Sequence, residues 1–187
     1  MMSPCIFLIF CLVSLLCSAV KQTYTSWPAY SGCVSHEIIS YVYKNLRKHQ
    51  RLELIGTGGG INHTIECLCM GFQIRQAVTT EEARAYLVKI MEFCIANVHD
   101  HPEWLPYFAE YPITSSSFEI DLHFLDRKGH RLPLGCVNYV NSSNSRLLYD
   151  KVSEKWTPFF LKETYEEAKA IVEAERALQE QQNSSKK

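Results

Sequence analysis

Four side chains that commonly bind metal ions occur in two separate segments of this 187-residue chain. His63, Cys67 and Cys69 lie close together in the sequence, and His123 comes from a later segment. Imidazole nitrogens and thiolates are ligands that zinc prefers, so the four residues are candidate metal ligands. Their spacing matches no established zinc motif, and the alternative interpretation is a polar sheet face that carries two semi-exposed thiols. A thiol enzyme is a further alternative, because a cysteine nucleophile needs a histidine and an orienting acid nearby.

Alternating polar and apolar residues predict that these candidates lie on β-strands. In one segment, polar or small residues at 67, 69, 71 and 73 alternate with Leu68, Met70, Phe72 and Ile74. In the other, Glu119, Asp121 and His123 alternate with Phe118, Ile120, Leu122 and Phe124. Successive residues of a strand face opposite sides of the sheet. The pattern therefore predicts that the histidines and cysteines lie beside Glu119 and Asp121 on the solvent-facing side of one sheet.

A glycine-rich stretch precedes the first of these strands. The sequence predicts a strand at 52–55, a loop at Gly56-Thr57-Gly58-Gly59-Gly60, and a second strand at 61–74. Glycine reaches positive φ without a steric penalty, so a wide hairpin is the expected role of the loop. The N–H groups of Gly58, Gly59 and Gly60 could instead bind an anion. A dinucleotide or P-loop site is excluded, because neither the third glycine of the former nor the Gly-Lys-Ser/Thr of the latter is present.

The other elements follow from periodicity and capping signatures. Apolar residues at helical spacing predict a helix at 36–49, and Thr79 and Thr164 each begin a capping box before a further helix. Three more strands are expected at 117–125, 136–141 and 146–152. The predicted order is α-β-β-α-β-β-β-α after an N-terminal signal segment. This order indicates an α+β fold with a single antiparallel sheet of about five strands and helices packed on one face.

The N-terminus predicts export. An uncharged apolar run over residues 6–20 has the length of a signal-peptide core rather than of a membrane span. We assign residues 1–19 to a signal peptide, 20–34 to a linker, 35–178 to the α+β domain and 179–187 to a disordered tail. Cys17 is a candidate lipidation site, and lipid attachment there would tether the mature chain to a membrane.

The formal net charge of −1 argues against a nucleic-acid partner. No G-x-S-x-G or H-E-x-x-H motif is present, and the sequence implies no cofactor.

The predicted function is an exported, non-catalytic domain that binds an envelope component or a protein partner, with membrane association through the N-terminus. Its location would be the periplasm, the cell envelope or the extracellular space. Two alternatives remain: a small Cys/His metal-binding protein or thiol enzyme, and a secreted host-interaction protein.

Three motifs together resemble a group of exported proteins from intracellular bacteria. They are the glycine stretch at 56–60, the helix start Thr80-Glu81-Glu82-Ala83-Arg84, and Tyr111-Pro112-Ile113 before a strand. The resemblance covers about residues 52–174. It implies export but no activity, so no functional residues are carried over from it.

Overall fold

The computed structural model describes residues 27–49, 52–154 and 159–185, with the backbone alone for residues 27–30 and 49. Three helices lie within these ranges: α1 (Trp27–His49), α2 (Thr80–His99) and α3 (Tyr165–Ser184). The strands described are β1 (Glu53–Ile61), β2 (Ile65–Ile74), β3 (Phe118–Phe124), β4 (Val137–Ser143), β5 (Arg146–Lys151) and β6 (Leu161–Thr164). Single 3₁₀ turns occur at Leu105–Tyr107 and Ser115–Ser117. The fold class is α+β, as predicted.

The six strands form one sheet in chain order, from β1 at one edge to β6 at the other. All neighbours are antiparallel except β2 and β3, which run parallel. The sheet therefore differs from the predicted antiparallel sheet of about five strands. The parallel pair arises because α2 carries the chain back to the end of the sheet where β2 began, before β3 starts. The additional strand, β6, has only four residues and little apolar patterning.

The glycines that were predicted to form a loop lie inside β1. Gly58 pairs with Cys69, Gly59 with Leu68 and Gly60 with Cys67. The turn comes later, at residues 62–64. The loop prediction is wrong because glycine also permits an irregular strand that lies close to its neighbour. At Gly59, where φ is +155°, an added Cβ would lie only 2.2 Å from the carbonyl oxygen of Cys67.

The core lies between the helices and one face of the sheet. The apolar alternation predicted for β2 and β3 is confirmed, since each of these strands buries four side chains in the core: Leu68, Met70, Phe72 and Ile74, and Phe118, Ile120, Leu122 and Phe124. α2 and α3 begin with complete capping boxes at Thr79 and Thr164, as the sequence predicts. All three helices contact the sheet, in chain order from β1 to β6.

Two helix boundaries differ from the predictions. α1 begins at Trp27 and so includes residues 27–34 of the predicted linker, because Ser31 and Val34 are buried in the fold. α3 continues to Ser184 and includes most of the predicted disordered tail, since Glu, Gln and Ala favour helix and no Gly or Pro interrupts them.

The predicted signal peptide at 1–19 lies outside the described residues. Among the described helices, none has the length and apolarity needed to cross a membrane.

Candidate functional site

Cys67, Cys69 and Glu119 come together on the face of the sheet opposite the core. Leu68 is fully buried, so the cysteines on either side of it face the other way. The parallel register places Glu119 of β3 directly beside Cys69 of β2. Cys67 lies two residues earlier on β2 and therefore shares this face. The site thus depends on the parallel pairing of two strands that are distant in the sequence.

Glycines of β1 pair with both cysteines, and Gly58 leaves the Cys69 side chain uncrowded on one side. Gly58 is paired with Cys69, and Gly60 with Cys67. Neither glycine has a side chain to cover its partner's sulfur. A Cβ added at Gly58 would lie 3.8 Å from the Cβ of Cys69, at ordinary contact distance. Gly58 therefore leaves the Cys69 side chain uncovered on the side of β1, whereas a Cβ at Gly60 would meet the Glu66 side chain at 3.3 Å.

The donor atoms of Cys67, Cys69 and Glu119 lie at distances suited to a shared ion. The two Sγ atoms and a carboxylate oxygen of Glu119 are all within 4.8 Å of one another. The Cys69 thiol donates a hydrogen bond to Oε2 of Glu119 over 3.3 Å. All three residues are half-buried. They form a compact set of two sulfur donors and one oxygen donor that solvent can still reach.

The two thiols shift each other's pKa in opposite directions. As an alternative to its bond with Glu119, the Cys69 thiol can donate to the sulfur of Cys67, which favours the thiolate there and lowers the pKa of Cys67. The same donation raises the pKa of Cys69, and burial and the nearby Glu119 raise it further. Among the described residues, no basic side chain forms an ion pair with Glu119. The cluster therefore consists of three acidic side chains, two of which are joined by the hydrogen bond from Cys69 to Glu119.

The two predicted histidine ligands lie apart from this cluster. His63 is exposed in the turn after β1, where its carbonyl oxygen accepts a hydrogen bond from the Ser31 hydroxyl at 2.9 Å. His123 lies four residues beyond Glu119 on β3, a separation of about 13 Å along a strand. Its ring packs against Tyr139, with 4.8 Å between the ring centroids. The structure thus brings together two of the four predicted ligands and adds Glu119 to them.

Asp121 lies between Glu119 and His123 on β3, and its carboxylate is already hydrogen-bonded to other side chains. Its Oδ1 accepts hydrogen bonds from the Tyr139 hydroxyl at 2.6 Å and from the Asn141 side-chain amide at 2.7 Å. Burial and this hydrogen bond raise the pKa of Tyr139, so the phenol keeps its proton. Asp121 is therefore occupied by neutral donors, whereas the Glu119 carboxylate is bonded only to a thiol among the described contacts.

The remaining predicted site residues are the candidate anion-binding glycines and the candidate lipidation site. Gly58, Gly59 and Gly60 belong to a strand and are followed by a turn and a second strand. They therefore lack the helix N-terminus that usually accompanies a phosphate-binding glycine loop. Cys17, the candidate lipidation site, lies outside the described residues.

Sequence reasoning placed Glu119 on the correct face but did not select it as a ligand. The signal that identifies it is the one-to-one register of two parallel strands, which the alternation of neither strand can reveal alone.

A buried cluster on the core face was missed entirely. There, Arg84 of α2 donates to Oε1 of Glu163 on β6 at 2.8 Å, and the Tyr149 hydroxyl donates to the same oxygen. Arg84 and Glu163 are isolated charged residues in a helix and in a short strand, so no sequence pattern predicts that they form an ion pair.

We compared the chain with family models, with curated proteins and with solved structures, and found no match in any of the three.

Proposed function

We propose that this protein is an exported, non-catalytic binding domain that holds a divalent metal ion of the zinc class on the polar face of its sheet. The observation that carries the proposal is the convergence of Cys67, Cys69 and Glu119, whose donor atoms lie within 4.8 Å of one another. Neighbouring strands of one sheet supply all three residues. The donor atoms therefore rest on a rigid backbone rather than on a loop.

The types of donor favour zinc over other common metal ions. Zinc binds cysteine sulfur and carboxylate oxygen in a tetrahedral arrangement, with Zn–S distances of about 2.3 Å. That geometry requires about 3.8 Å between two sulfur atoms, so small rotations of the side chains would suffice. Calcium and magnesium disfavour thiolates, and copper(I) prefers softer donors than a carboxylate.

The charge of the cluster also favours a cation. Cys67, Cys69 and Glu119 are all acidic side chains, and no basic side chain among the described residues pairs with Glu119. A divalent ion would displace the thiol protons and neutralise the acidic groups. Binding should therefore release protons and weaken as the pH falls.

Three protein ligands leave one position of a tetrahedral ion unfilled. Structural zinc sites normally use four protein ligands, whereas sites with three keep the fourth for water or another molecule. In this proposal, the fourth ligand comes from water or from the predicted partner, which is an envelope component or a protein. A partner that offers an imidazole or a carboxylate would fit the open position.

Titration of the purified protein with Cd²⁺, which reports thiolate binding through a charge-transfer band in the ultraviolet, tests the metal site. We expect saturation at one ion per chain, together with proton release in weakly buffered solution. Cys69→Ser should abolish the band, and Glu119→Gln should weaken binding by about tenfold or more, as loss of a supporting ligand does.

Cys33→Ser is the matched control, because Cys33 is an exposed free cysteine of α1 outside the cluster. Its titration should equal that of the parent protein. An equal loss of the band in Cys33→Ser and Cys69→Ser would contradict the assignment of the site.

Export is a separate part of the proposal, and it rests on the apolar run at residues 6–20. Fractionation of the producing cells and mass spectrometry of the mature N-terminus test it. A processed chain in the envelope or the medium would support export. An unprocessed chain confined to the cytosol would contradict it, and would leave the metal proposal unaffected.

A further inference from the structure

A second site lies at the end of the sheet away from the β1–β2 turn. β2 and β3 run parallel, with Ile74 opposite Phe124, so their carboxyl ends meet at the same edge. A cleft of about 1210 Å³ opens there. In open, mostly parallel α/β sheets, ligands bind in the crevice outside the carboxyl ends of the strands, and the parallel pair β2–β3 places a cleft at the corresponding position. The size of the cleft suits a small organic molecule rather than a bare ion.

Four chain segments that are distant in sequence form the walls of the cleft. They are the start of β1, the residues that follow β2, one side of α2, and the turn after β3. The half-buried ring of Tyr86 provides apolar surface, whereas Leu52 and Ile74 are buried in the core. Gln76 accepts a hydrogen bond from the Tyr86 hydroxyl at 3.3 Å. The cleft therefore has a wall against which an organic group can pack.

Both carboxylates that line the cleft are bonded within the protein. Glu53 receives hydrogen bonds from Arg75 and Gln73, each at 3.4 Å. Asp126 accepts the backbone N–H groups of Lys128 and His130, each at 2.8 Å, which lowers the pKa of its carboxyl. Since Arg75, Lys89 and Arg127 line the same cleft, it carries three cations and two carboxylates, a formal net charge of +1.

Lys89 of α2 and Arg127 of the turn after β3 line the same cleft and form no ion pair with any described residue. Arginine offers a planar fork that matches phosphate oxygens, and lysine offers a point charge. A phosphate monoester carries a charge of about −1.5 to −2 at neutral pH, which is opposite in sign to the net charge of the cleft. We propose that the cleft binds the phosphate monoester of a small organic molecule, whose organic part packs against the ring of Tyr86.

Titration of the full protein with phenyl phosphate, followed by backbone amide NMR shifts, tests this proposal. The largest shifts should fall at residues 73–77, in α2 near Lys89, and at 126–127. Inorganic phosphate should bind at least several-fold more weakly, because it cannot use the apolar wall. Arg127→Gln should weaken phenyl phosphate binding by about tenfold or more, as expected for the loss of one charged hydrogen-bonding group.

Lys128→Gln is the matched control, since Lys128 is exposed in the same turn but does not line the cleft. It makes the same change in net charge and should retain the affinity of the parent protein. Equal losses in Arg127→Gln and Lys128→Gln, equal affinities for the two phosphates, or shifts outside the cleft would each overturn the proposal. Binding to vesicles of phosphatidylcholine and phosphatidic acid that requires Arg127 would also overturn it, by assigning the cleft to a membrane lipid instead of a soluble ester.

Discussion

Replacing Gly59 with alanine should destabilise the protein at the strand that flanks the proposed metal site. Gly59 has a φ of +155°, which residues with a side chain rarely adopt. An added Cβ would lie 2.2 Å from the carbonyl oxygen of Cys67 and 3.3 Å from its carbonyl carbon. Both are backbone atoms, so the contact can be relieved only if β1 and β2 move apart.

The expected cost has two parts. A residue held in a sparsely populated backbone conformation costs about 1–3 kcal/mol. Relief of the close contact by a backbone shift adds about 1–3 kcal/mol, as overpacking does elsewhere. The sum is about 2–6 kcal/mol, which corresponds to about 4–24 °C in Tm for a chain of this size.

Differential scanning calorimetry of Gly59→Ala measures this cost, with Gly56→Ala as the matched control. Gly56 lies on the same strand, but no atom comes within 4 Å of a Cβ added there. Its substitution should change stability by no more than about 0.5 kcal/mol. Equal Tm values for the two variants would refute the backbone geometry that we describe for β1.

Two further predictions concern α2 and α3. Glu163→Gln should destabilise the fold by about 3–5 kcal/mol in urea denaturation, because it leaves the buried Arg84 cation without its carboxylate and alters the bond from Tyr149. The carboxylate of Glu167 accepts the backbone N–H and the hydroxyl of Thr164, which lowers the pKa of Glu167 in the folded state. Its stabilising contribution should therefore be complete above its unfolded pKa and be lost as the pH falls through its folded pKa. An NMR titration should give a folded pKa below the ordinary value for Glu, and Glu167→Gln should remove this part of the pH dependence.

Glu166→Gln is a control for both predictions, since Glu166 is exposed in the first turn of α3 beside the two tested positions. It should leave the urea midpoint nearly unchanged and keep the acid sensitivity that Glu167 confers. A midpoint for Glu163→Gln that equals that of Glu166→Gln would show that the buried pair is not needed. An ordinary pKa for Glu167 would show that the capping bond is absent in solution.

The parts of the fold that sequence predicts best are those set by local patterns. Thr79 and Thr164 identify the starts of two helices because a capping box needs only two side chains three residues apart. The alternation of apolar residues in β2 and β3 identifies the buried face because successive residues point to opposite sides. Each of these signals is complete within a few residues of the chain.

What the sequence does not predict depends on contacts between distant segments. The strand that contains Gly58, Gly59 and Gly60 could not be distinguished from a loop, because its regularity comes from pairing with β2. The alternation in β2 and β3 contains no information on whether the strands run parallel. The neighbour of Cys69 could therefore not be identified as Glu119 rather than His123, and the cations Lys89 and Arg127 gave no sign that they share a cleft.

The zinc content of the purified protein tests the central claim most directly. After equilibration with one equivalent of zinc and removal of free metal, elemental analysis should find about one zinc ion per chain in the parent and in Cys33→Ser. It should find almost none in the double variant Cys67→Ser/Cys69→Ser. Parent protein that stays folded but retains no zinc, or a double variant that retains as much zinc as the parent, would contradict the account.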